Sequence, residues 1–247
     1  MSYFIFDGVL SLGNQYELKG EESRHITKSR RLRSGDSFLI QDQRGNRFEA
    51  ILKSFDSKSL LFFLKKTVAI PPTSSLRIEI LQALPKQKSL DFILQKTTEL
   101  GISQLDVFCG MHSPKIFRIS EKQHHLERWR RIVTEASKQC ERQFPPEIHF
   151  HPNISASLQT LSKCSNSWML VPEAADAISW KKLKSSGDDL INHHRILIGP
   201  EGGFHQDEIK MALRSGMRKV NLGPRILRSE TASITAVSIL QFLWGDL

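Results

Sequence analysis

Twice in the last third of the chain a short apolar run meets a Gly-Pro bend and then a segment of helical spacing: "ILIGPEGGFHQDEI" over 196–209 and "NLGPRILRSETASITAVSIL" over 221–240. This pair of bends constrains the fold more than any other feature. Ile196, Leu197 and Ile198 form the kind of unbroken apolar run that a central parallel strand needs, and Glu208 to Leu213 then follows with helical spacing. In the second copy the polar residues after Gly223-Pro224 enter a helix through Ala232, Ala236, Val237 and Leu240. Both bends therefore lie at the carboxyl ends of strands. Open α/β sheets bind small molecules there, because backbone amides and helix N-termini are exposed.

The rest of the chain divides at "VAIPPTSS", 68–75, where two prolines and a Thr/Ser cluster separate segments of different rhythm. We place the boundary near residue 72, giving a first domain over 1–72 and a second over 73–247. Before it, "YFIF", "SFLIQD", "RFEAILKSF" and "SLLFFLKK" are short β-rich runs between turn residues, which suggests a small barrel or sandwich. After it, "SLRIEILQAL" reads as a strand. "SLDFILQKTTELGI" then reads as a helix with Leu90, Ile93, Leu94, Thr97 and Leu100 on one face and Gly101 as its stop. Residues 121–143 are expected to form a second long helix, ended by Pro145 and Pro146. "SWMLVPE", "HRILIGPEGG" and "KVNLGPRIL" read as strands running into loops, and "KKLKSSGDDLINHH" (181–194) as a polar surface connection. This alternation predicts a mostly parallel α/β sheet.

The first bend lacks the Lys-Ser/Thr ending of a Walker loop and the G-x-G-x-x-G of a dinucleotide fingerprint. Glu201 places a carboxylate where a phosphate would be repelled, which favours a ligand with ribose hydroxyls or a positive centre. The second bend carries Arg228, Ser229, Glu230 and Thr231 together. On physical grounds alone the Arg228 and Glu230 charges read equally well as a structural ion pair or a functional one.

Charge points to the partner. Lys plus Arg number 35 against 26 Asp plus Glu, a formal charge of +9 whose field favours a polyanion. The cations are dense at Arg24, His25, Lys28, Arg30, Arg31 and Arg33 in the first domain, where phosphate contact is their natural role. Lys86, Lys88, Lys96 and Arg142 are placed to continue that track on the larger domain. Histidine pairs at 124–125 and 193–194, and His149 with His151, lack the spacing and companion ligands of a metal site, so no metal is expected. Cys109, Cys140 and Cys164 have no CxxC spacing and read as thiols of a reducing compartment. No apolar run approaches the roughly 20 residues of a membrane span, and the opening residues carry no basic flank, so a cytoplasmic protein is expected.

The two bends together resemble the signature pair of the bacterial methyltransferases that methylate N3 of a uridine in 16S ribosomal RNA, a branch of the SPOUT superfamily. "LDFILQKTTELGI", "RWRRIVTEASKQCERQFPPEI" and "HITKSRRLRSGDSF" are similar to further stretches of that family in the same order, and together these span nearly the whole chain. The resemblance implies a PUA-like RNA-binding β-barrel followed by a SPOUT α/β domain threaded into a trefoil knot. It also implies an S-adenosylmethionine (SAM) site in the knot loops and a homodimer. By the same resemblance the cofactor contacts fall on Leu170, Val171 and Pro172, on Ile198, Gly199, Pro200, Glu201, Gly202 and Gly203, and on Leu222, Gly223, Pro224, Ile226 and Leu227. The chain departs from the family in three places. His205 stands where a small cap residue is usual, at an expected cost of about 0.5–1 kcal/mol. "MSYFIF" lacks an arginine, and Arg30 occupies a usually apolar position.

Methylation at uridine N3 needs the ring proton removed and the developing anion stabilised. Arg228 is expected to stabilise charge on the base oxygens, and Glu230 to accept the proton or orient the base. Two other functions remain open at this point: a SPOUT enzyme acting on another base or a ribose 2′-oxygen, and a non-enzymatic RNA-binding protein of ribosome assembly.

Overall fold

The computed structural model describes residues 3–20, 23, 26, 32–56, 59–114, 122–159, 166–172, 177–180 and 192–247. The chain forms two compact units, residues 1–72 with 137–144, and residues 73–136 with 145–247.

In the first unit, strands β1 (Phe4–Ile5), β2 (Gln15–Lys19), β3 (Ser37–Gln41), β4 (Arg47–Phe55) and β5 (Ser59–Val68) form a sheet in the order β1-β3-β4-β5-β2. Alternation decides its faces: Phe48, Ala50 and Leu52 of β4 and Leu60, Phe62 and Leu64 of β5 point into one core with Phe38 and Ile40. All ladders are antiparallel except β1 with β3. β2, "QYELK", is too polar to stand out in the sequence, with only Leu18 buried.

The second unit contains β6 (Arg77–Ala83), α1 (Gln87–Glu99), β7 (Gln104–Phe108), β8 (Glu147–His151), α3 (Ile154–Gln159), β9 (Asn166–Leu170), β10 (Ile178–Ser179), β11 (His193–Ile198), α4 (Gln206–Arg214), β12 (Arg218–Asn221) and α5 (Ser229–Trp244). Helix α2 (Lys122–Gln139) begins in this unit, and its last residues belong to the first. The described strands order as β10-β12-β9-β11-β6-β7-β8, every pair parallel. Period-two alternation sends Ile78 and Ile80, Leu105 and Val107, and Ile196 and Ile198 to one face. There they pack with Leu90, Ile93 and Leu94 of α1 and Ala236, Val237 and Leu240 of α5. Leu81, Ala83, Phe108, Met169 and Leu197 point to the opposite face, against Ile154 and Ala212. Helices thus cover both faces of a parallel sheet.

α2 stops at Gln139, short of the expected 143, and prolines do not stop it. Glu141 takes φ 63°, and the Arg142 N–H donates to Ser137 O at 3.0 Å, the six-to-one bond of a Schellman turn. A left-handed glutamate costs about 1–2 kcal/mol, and local hydrogen bonds offset it. Buried Arg47 donates to the carbonyls of Glu141 and Arg142, each at 3.2 Å, and the Tyr3 hydroxyl donates to Arg142 O at 2.6 Å. Arg142 therefore belongs to the first unit, not to the larger one where the sequence placed it.

The stretch read as a surface connection is also corrected at its end. His193 and His194 open β11, and His194 is buried, stacked 4.6 Å from the Trp244 ring and accepting a hydrogen bond from Trp168 Nε1. Residues 181–191 of that stretch lie outside the described residues.

Candidate active site

Three adjacent strands, β12, β9 and β11, release their chains into one cleft of about 420 Å³ at their carboxyl ends. This lies within the size range of small-ligand sites. It is lined by Leu170, Val171 and Pro172 after β9, by 198–204 after β11, and by Leu222 and 225–229 after β12, with Ala232 of α5. The two bends therefore converge, and a hydrogen bond joins them: the Ser229 hydroxyl donates to Gly199 O at 2.9 Å.

The loop shapes follow from their residues. Gly203 has φ 71° and its N–H donates to Pro200 O at 3.0 Å, closing a turn in which the third glycine takes the left-handed region. Gly223 has φ 99° and its N–H donates to Asn221 Oδ1 at 3.1 Å. At the start of α4, His205 proves a serviceable cap. Its Nδ1 accepts from the Asp207 N–H at 3.3 Å, while Glu208 Oε2 accepts from the His205 N–H at 2.9 Å, the two donors satisfied reciprocally.

The walls are chemically uneven. Ile198, Leu222 and Leu227 supply apolar surface, and the glycine-rich turn exposes main chain. Glu201 contributes a carboxylate whose Oε1 accepts from the Lys86 N–H at 3.2 Å. Arg228 is the N-cap of α5 but makes no side-chain capping bond. Among the described residues neither Arg225 nor Arg228 has an ion-pair or hydrogen-bond partner for its guanidinium. Between them Ile226 is 84% exposed.

Twelve of the fourteen expected cofactor positions line the cleft, all but Gly223 and Pro224, which shape the turn behind it. Of the two expected catalytic residues Arg228 lines the cleft and Glu230 does not; Glu230 Oε2 is buried without a hydrogen-bond partner among the described residues. Phe204, Arg225, Ser229 and Ala232 also line it and were not foreseen. Arg225 was legible as a second cation in the same bend. Buried Gln82, beneath the cleft on β6, carried no sequence signal.

Half of the expected RNA track lies among the described residues. Arg24, His25, Lys28, Arg30 and Arg31 lie outside the described residues. Arg33 is exposed at a turn where its N–H donates to Asp36 Oδ2. Lys86 and Lys88 are exposed at the start of α1, whereas Lys96 is engaged by both oxygens of Glu99 at 2.9 Å. No group of three or more metal-ligating side chains occurs among the described residues, and no described helix is long and apolar enough to cross a membrane.

A doubly covered parallel sheet with a ligand cleft formed by three neighbouring strand ends defines an α/β binding domain of the switch-point type. A family model described as an RNA methyltransferase domain matches residues 72–241, and one described as an RNA methyltransferase PUA domain matches residues 18–65. The chain belongs to this RNA methyltransferase family. It is 29% identical to the ribosomal RNA small subunit methyltransferase E of Buchnera aphidicola, over 94% of this chain and 90% of that one. A methyltransferase from Legionella pneumophila, solved in complex with the bound cofactor SAM, matches with a TM-score of 0.89 at 26% identity, covering 99% of this chain and 98% of its own. The ribosomal RNA small subunit methyltransferase E of Neisseria gonorrhoeae, bound to S-adenosyl methionine, matches at 0.85 and 25% identity, covering 100% and 99%.

Proposed function

We propose that this protein is a SAM-dependent methyltransferase of 16S ribosomal RNA that methylates N3 of a uridine. The observation that carries the reading is the convergence of the two Gly-Pro bends on one cleft beside Arg228, whose guanidinium has no partner among the described residues. The Buchnera and Neisseria relatives are named for small-subunit ribosomal RNA, and the Neisseria and Legionella structures hold SAM.

The cleft suits that cofactor. Exposed main chain at 199–203 can read adenine and ribose edges, Ile198, Leu222 and Leu227 can sandwich an apolar ring face, and the Glu201 carboxylate suits hydroxyls or a cationic centre. Bound SAM supplies an electrophilic methyl carbon on a sulfonium sulfur. The protein prepares the nucleophile. Glu230, which follows Ser229 in the first turn of α5, is assigned to take the N3 proton or to orient the base once RNA is bound. Arg228 faces the uracil oxygens and stabilises the charge that develops as that proton leaves. With SAM held in the cleft, these residues would present the N3 lone pair to the methyl carbon for an in-line displacement. Arg225 and Arg228 meet flanking phosphates or base oxygens at the cleft mouth. The first unit, with Arg33 and the basic stretch before it, holds the RNA backbone as the RNA-binding domain 1–72; residues 73–247 form the methyltransferase domain, threaded as a trefoil knot.

We further propose a cytoplasmic homodimer. The family expectation of a dimer is supported by apolar side chains at the surface of the second unit, Ile226 and Phe242, the latter 67% exposed, which a second copy would cover. Sedimentation should give twice the chain mass.

The test is methyl transfer from labelled SAM to small-subunit RNA or particles, with the product nucleoside identified by mass spectrometry. N3-methyluridine supports the reading. Methyl on a ribose oxygen or another base supports the other SPOUT activities, and absence of SAM binding supports a non-enzymatic RNA-binding protein.

A further inference from the structure

We propose that Gln82 is the positioning residue that sets the spacing between the donor loop and the helix carrying Arg228 and Glu230. This rests on the function proposed above and goes beyond it by naming the part that holds the two halves of the site together.

Gln82 ends the Ile78, Ile80, Gln82 row of β6, on the sheet face that carries α5. Its side chain is fully buried, and an amide in an apolar layer is retained only when each of its groups is satisfied. Carbonyl oxygens only accept, so their positions fix the orientation of the amide. Nε2 lies 2.9 Å from Ala83 O and 2.9 Å from Ser229 Oγ, with Gly199 O at 3.4 Å as a longer third contact. Oε1 takes the Ser233 hydroxyl at 2.8 Å. Ser229 accepts from Gln82 and donates onward to Gly199 O at 2.9 Å, and Ser233 Oγ also lies 2.9 Å from Ser229 O.

One side chain thus grips three separate pieces of chain: its own strand end, the first residue of the glycine-rich loop, and the first turn of α5. Ser229 stands between Arg228 and Glu230, and both Gly199 and Ser229 line the cleft. Losing the amide leaves the Ser229 hydroxyl bonded to Gly199 O but without the group that orients it, so the loop that would hold the methyl donor and the helix that would hold the uridine are free to shift against each other. A misplacement of about 1 Å between reacting groups costs on the order of 10²-fold in rate. No apolar residue can replace this function, and a carboxylate would turn acceptors toward Ala83 O and Gly199 O.

The experiment compares Gln82→Met, Gln82→Glu and Ser233→Ala with the unmodified protein. SAM affinity is read by calorimetry, and single-turnover methylation of small-subunit RNA is read with SAM and RNA both saturating. Melting is recorded beside them. Positioning predicts that SAM binding weakens about tenfold, and that the saturated rate falls at least tenfold, in Gln82→Met and Gln82→Glu. Ser233→Ala, which removes the contacts to Oε1 and to Ser229 O but leaves those of Nε2, should show both effects more weakly and keeps the test decisive if the Gln82 variants do not fold. A purely structural role would lower the melting temperature while leaving the saturated rate of the folded protein within twofold of the unmodified one. That result, or a change in only one of the two readouts, overturns the proposal. Failure of the unmodified protein to make N3-methyluridine would instead overturn the functional reading.

Discussion

Glu208 Oε1 accepts the backbone N–H of Met111 at 3.0 Å, across 97 positions of sequence, from a side chain only 1% exposed. Its second oxygen caps α4 through His205. One carboxylate therefore fixes the segment after β7 against the end of the glycine-rich loop. His112 Nδ1 adds contacts at 3.2 Å to the carbonyls of Gly202 and Gly203. Converting Glu208 to Gln turns one acceptor into a donor facing an N–H. Hydrogen bonds to charged groups contribute about 1.5–3 kcal/mol each. Urea unfolding of Glu208→Gln should show a loss in that range at unchanged slope, and a loss under about 0.5 kcal/mol would show that the carboxylate is not what fixes the segment.

Glu79 is a second buried carboxylate, on the first strand of the same sheet. It pairs with Arg77 at 2.8 Å, with His193 at 2.8 Å, and with buried Arg195. Removing one member of a buried pair strands the other, at about 3–5 kcal/mol. Glu79→Ala should lose stability of that order in urea. Replacing Arg77, which is half exposed, should cost much less.

Gly203 separates conformational from steric demand. A Cβ there would meet nothing within 4 Å, yet φ is 71°. Gly203→Ala should cost about 1–2 kcal/mol from backbone strain alone. SAM affinity, measured by calorimetry, should fall with it, because the turn would relax toward negative φ. Gly203→Asn, which tolerates the left-handed region, should recover much of the loss.

The exposed guanidinium of Arg225 has no partner among the described residues and should meet RNA. Arg225→Ala should weaken RNA binding about equally for target and unrelated sequences, and lower the salt slope of the binding constant by about 1. An unchanged slope would place Arg225 off the RNA path.

Burial raises the Cys109 thiol above its ordinary pKa. At a given pH less of it is thiolate, and thiolate is the reactive form. Alkylation of Cys109 at pH 8 should therefore run slower than that of free cysteine and accelerate as pH rises through the elevated pKa. Peptide mass spectrometry over a time course reads both.

Much of this was legible because local chemistry repeats. Strands β4 and β11 alternate or run apolar as their burial requires, α1 buries the predicted face, and the two bends meet as parallel strand ends allow. What was hidden needed distant partners. The α2 stop uses a left-handed glutamate where glycine is the usual signal, and Arg47 and Tyr3, 94 and 139 positions from the carbonyls they bind, support it. His193 and His194 look polar in sequence, yet His194 is buried between the rings of Trp168 and Trp244. Gln82 breaks an apolar strand, and three of its four partners lie 117 to 151 positions away.

The most direct measurement of the central claim is a crystal structure of this protein with S-adenosylhomocysteine. The account predicts the ligand between 198–204 and 222–229, its adenine among Ile198, Leu222 and Leu227 and its sulfur toward Arg228. Density for the ligand on any other surface, with this cleft empty, would contradict it.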